Sequence, residues 1–283
     1  MRRKPQGFDA RQNMNCDSFE IFHYLDIKTR HMEVHFHDFY EVFLFLDGDV
    51  DYWIEGSVYH LKPGDILLIN PTELHKPLPK PETETYERIV LWIDKNYLSN
   101  IEGGILEKCF DSELASHKKL YRLSSTERNE ILPLFDNLVN EYHKNDFAAS
   151  ACSYGLLLQV MALINRICLS RAAASSEKYR TPTFIAEVLS YIGEHYNENL
   201  SLDDLAAHFF VSKYYLSHEF KKAIGMGVHR YITSKRLSIA YSLLNDGISP
   251  MEACHMSGFG DYTNFFRNFK AEYGISPKEC IQN

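Results

Sequence analysis

Across residues 19–94, apolar and polar positions alternate and cluster in short runs: Glu33–His37, Glu41–Leu46, Val50–Ile54, Ser57–Leu61, Asp65–Ile69 and Tyr86–Ile93. A period of two puts every second side chain on one face and predicts strands. Asp47-Gly48-Asp49, Glu55-Gly56, Lys62-Pro63-Gly64-Asp65 and Asn70-Pro71 separate the runs and supply the turns. Short strands at this spacing predict a small barrel or sandwich. From about Ser125 the period lengthens. Ile131, Leu134, Phe135, Leu138, Val139 and Tyr142 recur at steps of three and four, and Ala149–Cys168 repeats the habit. Two amphipathic helices follow from this, suited to covering the barrel or pairing with a second copy.

Residues 171–181 lose the periodicity and read as a linker, after which Pro182 opens an all-helical region. That region repeats itself. Leu216-Ser-His218-Glu-Phe220-Lys221-Lys-Ala-Ile-Gly225 returns as Phe265-Phe-Arg267-Asn-Phe269-Lys270-Ala-Glu-Tyr-Gly274, each pair 49 residues apart. Ser212 and Asp261 are good N-caps, and Gly225 and Gly274 are natural helix stops. A shorter helix precedes each copy, at Leu202–Phe209 and Pro250–Met256. In each copy the apolar residues at i and i+4 share one face. Lys213, Tyr214, Ser217, His218 and Lys221, or Thr263, Phe266, Arg267 and Lys270, lie largely on another. One packed face and one free polar face are what a helix needs to enter a DNA major groove. An uninterrupted helical pattern from about Val228 to Asn245 joins the copies, a rod of about 27 Å at ~1.5 Å per residue. Such a spacer predicts two recognition helices about one DNA turn, ~34 Å, apart.

Charge refines this picture. The chain carries a formal net charge of −8. From Arg180 onward, 10 basic residues face 11 acidic ones, which leaves −7 for residues 1–179. Within Ser212–Lys270, eight basic residues face four acidic ones, so positive charge gathers where the recognition helices fall. The six cysteines form no CxxC pair and read as reduced thiols of a cytoplasmic protein. The basic start lacks an apolar core and predicts no signal peptide. The apolar stretch around Leu156–Ile167 is broken by Gln159 and Asn165, so no membrane span is expected.

Residues 182–283 resemble the double helix-turn-helix domain of the AraC family of bacterial regulators. The resemblance rests on Leu200-Ser-Leu-Asp-Asp-Leu-Ala206, Tyr215-Leu216-Ser217, Phe220-Lys221-Lys222, Tyr231, Arg236-Leu237, Gly258-Phe259-Gly-Asp261, Phe265, Arg267, Phe269-Lys270 and Ser276-Pro277. Ala253-Cys254, His218 and Cys280-Ile281 depart from the family pattern. His35-x-His37-x-x-x-Glu41-x6-Gly48 resembles the first motif of cupin barrels. The second motif, Pro63-Gly64-Asp65 through His75, is degenerate, with Glu73 where glycine is usual.

These resemblances imply an α+β protein of two domains. An N-terminal arm covers 1–18, a cupin-like effector-sensing and dimerisation domain 19–170, and the DNA-binding domain 182–283. The implied partners are double-stranded DNA, a small-molecule effector of carbohydrate class, RNA polymerase and a second copy of the chain. No membrane and no obligatory cofactor are expected. His35, His37, Glu41, Trp53, His75 and Trp92 are the candidate effector residues. In metal-binding cupins the positions of His35, His37, Glu41 and His75 ligate a divalent ion, so a metal-loaded sensor stays open. A cupin metalloenzyme with an accessory helical domain is the alternative from another functional class.

Overall fold

Among the residues that the computed structural model describes (5–6, 14–27, 34–111, 118–172 and 184–281), eight strands form two facing sheets. The strands are β1 (Phe19–Ile27), β2 (Phe39–Asp47), β3 (Val50–Ile54), β4 (Ser57–His60), β5 (Ile66–Ile69), β6 (His75–Pro79), β7 (Thr85–Asp94) and β8 (Leu120–Tyr121). One sheet runs β1-β7-β2-β5-β8, the other β4-β3-β6, and every named pairing is antiparallel. Alternation decides what each face does. On β2, Phe39, Glu41, Phe43 and Phe45 point into the space between the sheets, where they meet Phe22, Tyr24, Tyr52, Tyr86 and Trp92. Tyr40, Val42 and Leu44 point the other way, into the core under the helices.

β1 and β6 are strands that the alternating runs did not single out. β6 carries Pro77 and Pro79 yet pairs with β3 at Tyr52 and Val50. It lies at a sheet edge, where a missing N–H costs no ladder bond on the outer side. The stretch read as a strand at Glu33–His37 forms none in its described part. His35 makes an isolated bridge to His75, and His37 O accepts from Thr72 N at 2.8 Å, so the segment is pinned at points. Of the N-terminal arm, Gln6 bridges the outer edge of β1 at Tyr24.

After β7 come α1 (Lys95–Asn100), a 3-10 segment (Ile101–Phe110), α2 (Ser125–Tyr142) and α3 (Ala149–Ala172). Ser124 and Glu127 form a capping box at the start of α2. By length and apolarity α3 could cross a membrane. Here Leu157, Val160, Met161, Ile164 and Ile167 are buried with Ile131, Phe135 and Leu138 of α2 against the outer face of the larger sheet. Residues 173–183, which hold most of the expected linker and Pro182, lie outside the described residues.

The remaining helices are α4 (Phe184–His195), α5 (Leu202–His208), α6 (Lys213–Ile224), α7 (Val228–Asn245), α8 (Pro250–Met256), α9 (Tyr262–Tyr273) and α10 (Pro277–Cys280). The helical repeat is present as read. α5–α6 and α8–α9 are two helix-turn-helix units, and α7 joins them. Leu216, Phe220 and Ile224 close the first core with Val188, Leu205 and Tyr231; Phe265 and Phe269 close the second with Leu237, Leu244 and Cys254.

The first helical core continues into the barrel, because Phe36, Trp53 and Leu74 belong to it. At this seam the Glu55-Gly56 turn has both residues at positive φ, 42° and 86°. Glu55 is a non-glycine residue in a costly conformation, and its carboxylate is used by the other domain. It accepts from Tyr231 Oη at 2.8 Å and from Lys235 Nζ at 2.6 Å, both on α7. A Cβ at Gly56 would run into the Leu189 side chain, so glycine is needed for the close approach of α4. A second contact joins Lys95 to Asp38 and, across the seam, to Asp246 at 2.8 Å. Glu55→Ala is expected to leave the Lys235 ammonium, which is 11% exposed, with the Thr72 carbonyl but no carboxylate partner, and the Tyr231 hydroxyl without its acceptor. The expected cost is about 1–3 kcal/mol. Thermal unfolding measures that loss, and faster amide exchange along residues 231–238 should accompany it.

Candidate functional site

The two recognition helices are built alike. Ser212 Oγ accepts from Tyr215 N at 3.2 Å, and Asp261 Oδ2 accepts from Asn264 N at 2.8 Å, so each helix starts on a side-chain cap. Each stops at a left-handed glycine, Gly225 at φ 87° and Gly274 at φ 73°. Between these ends the anchors Leu216 and Phe220, or Phe265 and Phe269, are fully buried. The opposite face is open. Lys213, Tyr214, His218 and Lys221 are exposed on α6, as are Thr263, Arg267 and Lys270 on α9, while Ser217 and Phe266 are half-buried.

Lys213 faces Asp203 at 2.5 Å, but both are well exposed, and such a pair gives way readily to a phosphate. His218 Nδ1 lies 3.1 Å from the Glu219 carboxylate. Lys235 and Arg236, counted with the basic cluster, serve the protein instead. Arg236 donates to Tyr196 O at 2.7 Å and Glu198 O at 2.6 Å, tying α7 to the end of α4. The outward cationic face is therefore smaller than the sequence tally implied. Asn264, exposed in the first turn of α9, was missed by sequence reasoning. Its place three residues before Arg267, on the face that carries Arg267, was the available signal.

The candidate effector residues divide into three settings. His37, Glu41 and His75 meet inside the barrel, where their ligating atoms all lie within 4.8 Å of one another. Trp92 Nε1 donates to Glu41 Oε2 at 2.9 Å. His35 is half-buried beside them, its ring centroid 4.4 Å from that of His75 but outside the triad. Trp53 belongs elsewhere. It follows the inward-facing Tyr52 on β3, so it points out of the barrel into the domain seam. Burial, and then the neighbouring His35 and His37, hold the His75 ring well below its usual pKa. Burial and the Glu41 charge push the Tyr52 phenol well above its own. Two imidazoles and a carboxylate are a donor set that fits a first-row divalent metal, so the residues present suit the ion that the cupin motif implies.

A second site was not read from the sequence. A cavity of about 470 Å³ opens on the helix side of the larger sheet, lined by Tyr40, Asn70, Glu107, Phe110 and Asp111 among others. Tyr40 stacks on Phe110, with centroids 4.3 Å apart, and donates to Glu107 Oε2 at 3.4 Å. Burial, then Glu107, push its phenol up to about 12. Asn70 Nδ2 donates to Phe110 O at 3.0 Å, while its buried Oδ1 has no hydrogen-bond partner. Gly103 and Gly104 line the cavity in left-handed conformations, φ 65° and 79°, and Glu102 before them is a non-glycine residue at φ 49°. The glycines take this backbone without strain, whereas Glu102 is strained, and such strain gathers at ligand clamps and switch regions.

A sheet domain with a ligand-sized cavity, joined to two exposed recognition helices, defines a DNA-binding transcription regulator with a sensor domain. Two family models match accordingly: an AraC-like ligand binding domain over residues 20–160 and a helix-turn-helix domain over residues 205–283. The chain belongs to the AraC family of transcription regulators. It is 28% identical over 246 residues to the uncharacterized HTH-type transcriptional regulator YbfI of Bacillus subtilis, covering 81% of this chain and 80% of that one. It is 21% identical over 264 residues to the melibiose operon regulatory protein of Escherichia coli K12, covering 87% and 82%. Among solved structures it is similar to fatty-acid-bound ToxT of Vibrio cholerae, with 15% identity, a TM-score of 0.41, and coverage of 95% and 96%. The Bacillus subtilis and Escherichia coli relatives are regulators by name, and the metalloenzyme alternative falls away.

Proposed function

We propose that the chain is a cytoplasmic, sugar-responsive regulator that binds operator DNA through α6 and α9. The observation that carries the DNA reading is the division of α9, with Phe265 and Phe269 fully buried and Thr263, Arg267 and Lys270 exposed. Arg267 is the base reader, because a guanidinium can bond guanine at O6 and N7 together. Lys213, Lys221 and Lys270 hold phosphates, which gives salt-dependent affinity without sequence information. Tyr214, Ser217, His218 and Thr263 complete the polar contact face, and Phe266 meets a thymine methyl.

The carbohydrate reading moves from the barrel interior, which aromatic side chains pack, to the cavity around Tyr40. Pockets of about 300–1,000 Å³ suit small ligands, and this one offers what a sugar needs. Asn70 Oδ1, Glu107 and Asp111 accept from hydroxyls, and Tyr40 with Phe110 forms an aromatic wall. The melibiose operon relative supports the same class. Two copies pair along the outer side of α2 and α3, where Leu169 stands 46% exposed, and the DNA-bound dimer contacts RNA polymerase.

A thermal-shift screen of the full chain against mono- and disaccharides tests the effector. A cognate sugar at 100 times its Kd adds about 2.7 kcal/mol of stability, and Asn70→Ala should remove that gain. A sugar that stabilises wild type and variant equally would place the site elsewhere, and a screen with no stabilising sugar would remove the class.

A further inference from the structure

We propose that His37, Glu41 and His75 bind a divalent first-row transition cation, and that the ion braces the loop on which α7 is seated. The argument begins with hydrogen-bond roles. His37 Nδ1 lies 2.9 Å from Phe39 O, and His75 Nδ1 lies 2.8 Å from Glu73 O. A carbonyl only accepts, so both Nδ1 atoms carry the proton and donate it. In the neutral rings both Nε2 atoms therefore present bare lone pairs. This is how metal-binding histidines are held, one nitrogen tied to a carbonyl so that the other is aimed and basic.

One of those lone pairs faces another acceptor and the other faces no partner. His37 Nε2 is 3.2 Å from Glu41 Oε2, an oxygen that already accepts from Trp92. His75 Nε2 is buried and has no hydrogen-bond partner. Two facing acceptors and an orphaned third, all buried, make a site that a cation fits. An extra proton on His37 satisfies one contact and leaves His75 as it was. A single metal ion satisfies all three. Ligands around a tetrahedral ion with bonds of about 2.1 Å stand roughly 3.4 Å apart, so the three atoms, now within 4.8 Å of one another, would draw together to hold one.

The bracing follows from the loop between β5 and β6, residues 70–74. Thr72 is a β-branched residue at φ 67°, a conformation seldom adopted without cause. Its N–H donates to His37 O at 2.8 Å, and its carbonyl accepts from Lys235 Nζ at 3.2 Å on α7. Leu74 N, beside His75, donates to Glu55 Oε1 at 2.9 Å, the oxygen that also accepts from Lys235. Two ligands of the triad thus flank a strained loop whose far side holds the connector helix of the DNA-binding domain. Fixing His37 and His75 on one ion fixes the seat of α7.

The test uses the full chain after chelator treatment, titrated with Zn²⁺ by calorimetry and with Co²⁺ by visible absorption. One equivalent of Zn²⁺ is expected to bind, and Co²⁺ to give the d–d bands of a low-coordinate nitrogen–oxygen site. Glu41→Gln keeps the volume and an acceptor for Trp92, and should weaken binding by about 100-fold or more; His75→Gln should do the same. Bound Zn²⁺ should also slow amide exchange at residues 72–76 and 231–238. Failure of the wild-type protein to take up one equivalent would overturn the site whatever the variants do, as would Glu41→Gln binding with wild-type affinity. Stoichiometric binding with unchanged exchange in those two segments would overturn the bracing.

Discussion

Phe265→Ala is expected to cost about 3–5 kcal/mol, the range for deleting a fully buried aromatic ring, and to melt the second helix-turn-helix unit. Phe265 is 0% exposed. Its ring lies 5.2 Å from Phe259, 5.5 Å from Phe269 and 5.8 Å from Tyr262, centroid to centroid. The core it fills, with Leu237, Ala240, Leu244, Ala253 and Cys254, is small, and its removal leaves a large share of that unit's contacts unmade. The loss is comparable to the whole stability of a small domain. The chain's two tryptophans make the outcome readable. Trp92 lies inside the barrel and Trp53 in the seam cluster, which Tyr273 at the C-terminal end of α9 also touches, so neither lies in the core that Phe265 fills. In the variant, helical circular dichroism should fall before tryptophan fluorescence changes. Coincident transitions at the wild-type midpoint would show that Phe265 is not a keystone of that unit.

Arg267→Ala has the next largest effect, and it falls on sequence discrimination. Arg267 is exposed on α9, and among the described residues it makes no ion pair, so its guanidinium is available to a base edge. Loss of a bidentate contact should relax discrimination at one base pair by about 1–3 kcal/mol. Lys270→Ala should behave differently, lowering affinity for all duplexes and reducing the salt slope by about one. Comparing both variants on an operator and a scrambled duplex separates a reader of bases from a holder of phosphate. Equal losses on both duplexes for Arg267→Ala would make it another phosphate contact.

The DNA-binding half was legible because its determinants are local. Ser212, Asp261, Gly225 and Gly274 set helix ends through bonds spanning three or four residues, and the i, i+4 anchors sort the faces. The barrel was less so. β1 was not among the runs singled out, and the prolines of β6 are admissible only because it lies at an edge, a fact of topology. His37, Glu41 and His75 were picked out by resemblance, and the fold brought them together. Trp53 was assigned to the pocket because the sequence does not say which face of a strand turns inward. The seam was invisible for a plainer reason: Tyr231 reaches Glu55 across 176 residues of sequence. The cavity around Tyr40 joins β2 to a glycine-bent segment whose left-handed backbone no periodicity announces.

The most direct measurement is methylation protection on an operator selected from random duplexes. The twin helix-turn-helix units, spaced by α7, should protect guanines in two major-groove segments about one helical turn apart on the same face of the duplex. Arg267→Ala should erase guanine protection in one segment and spare the other. A single protected segment, or two on opposite faces, would contradict the account.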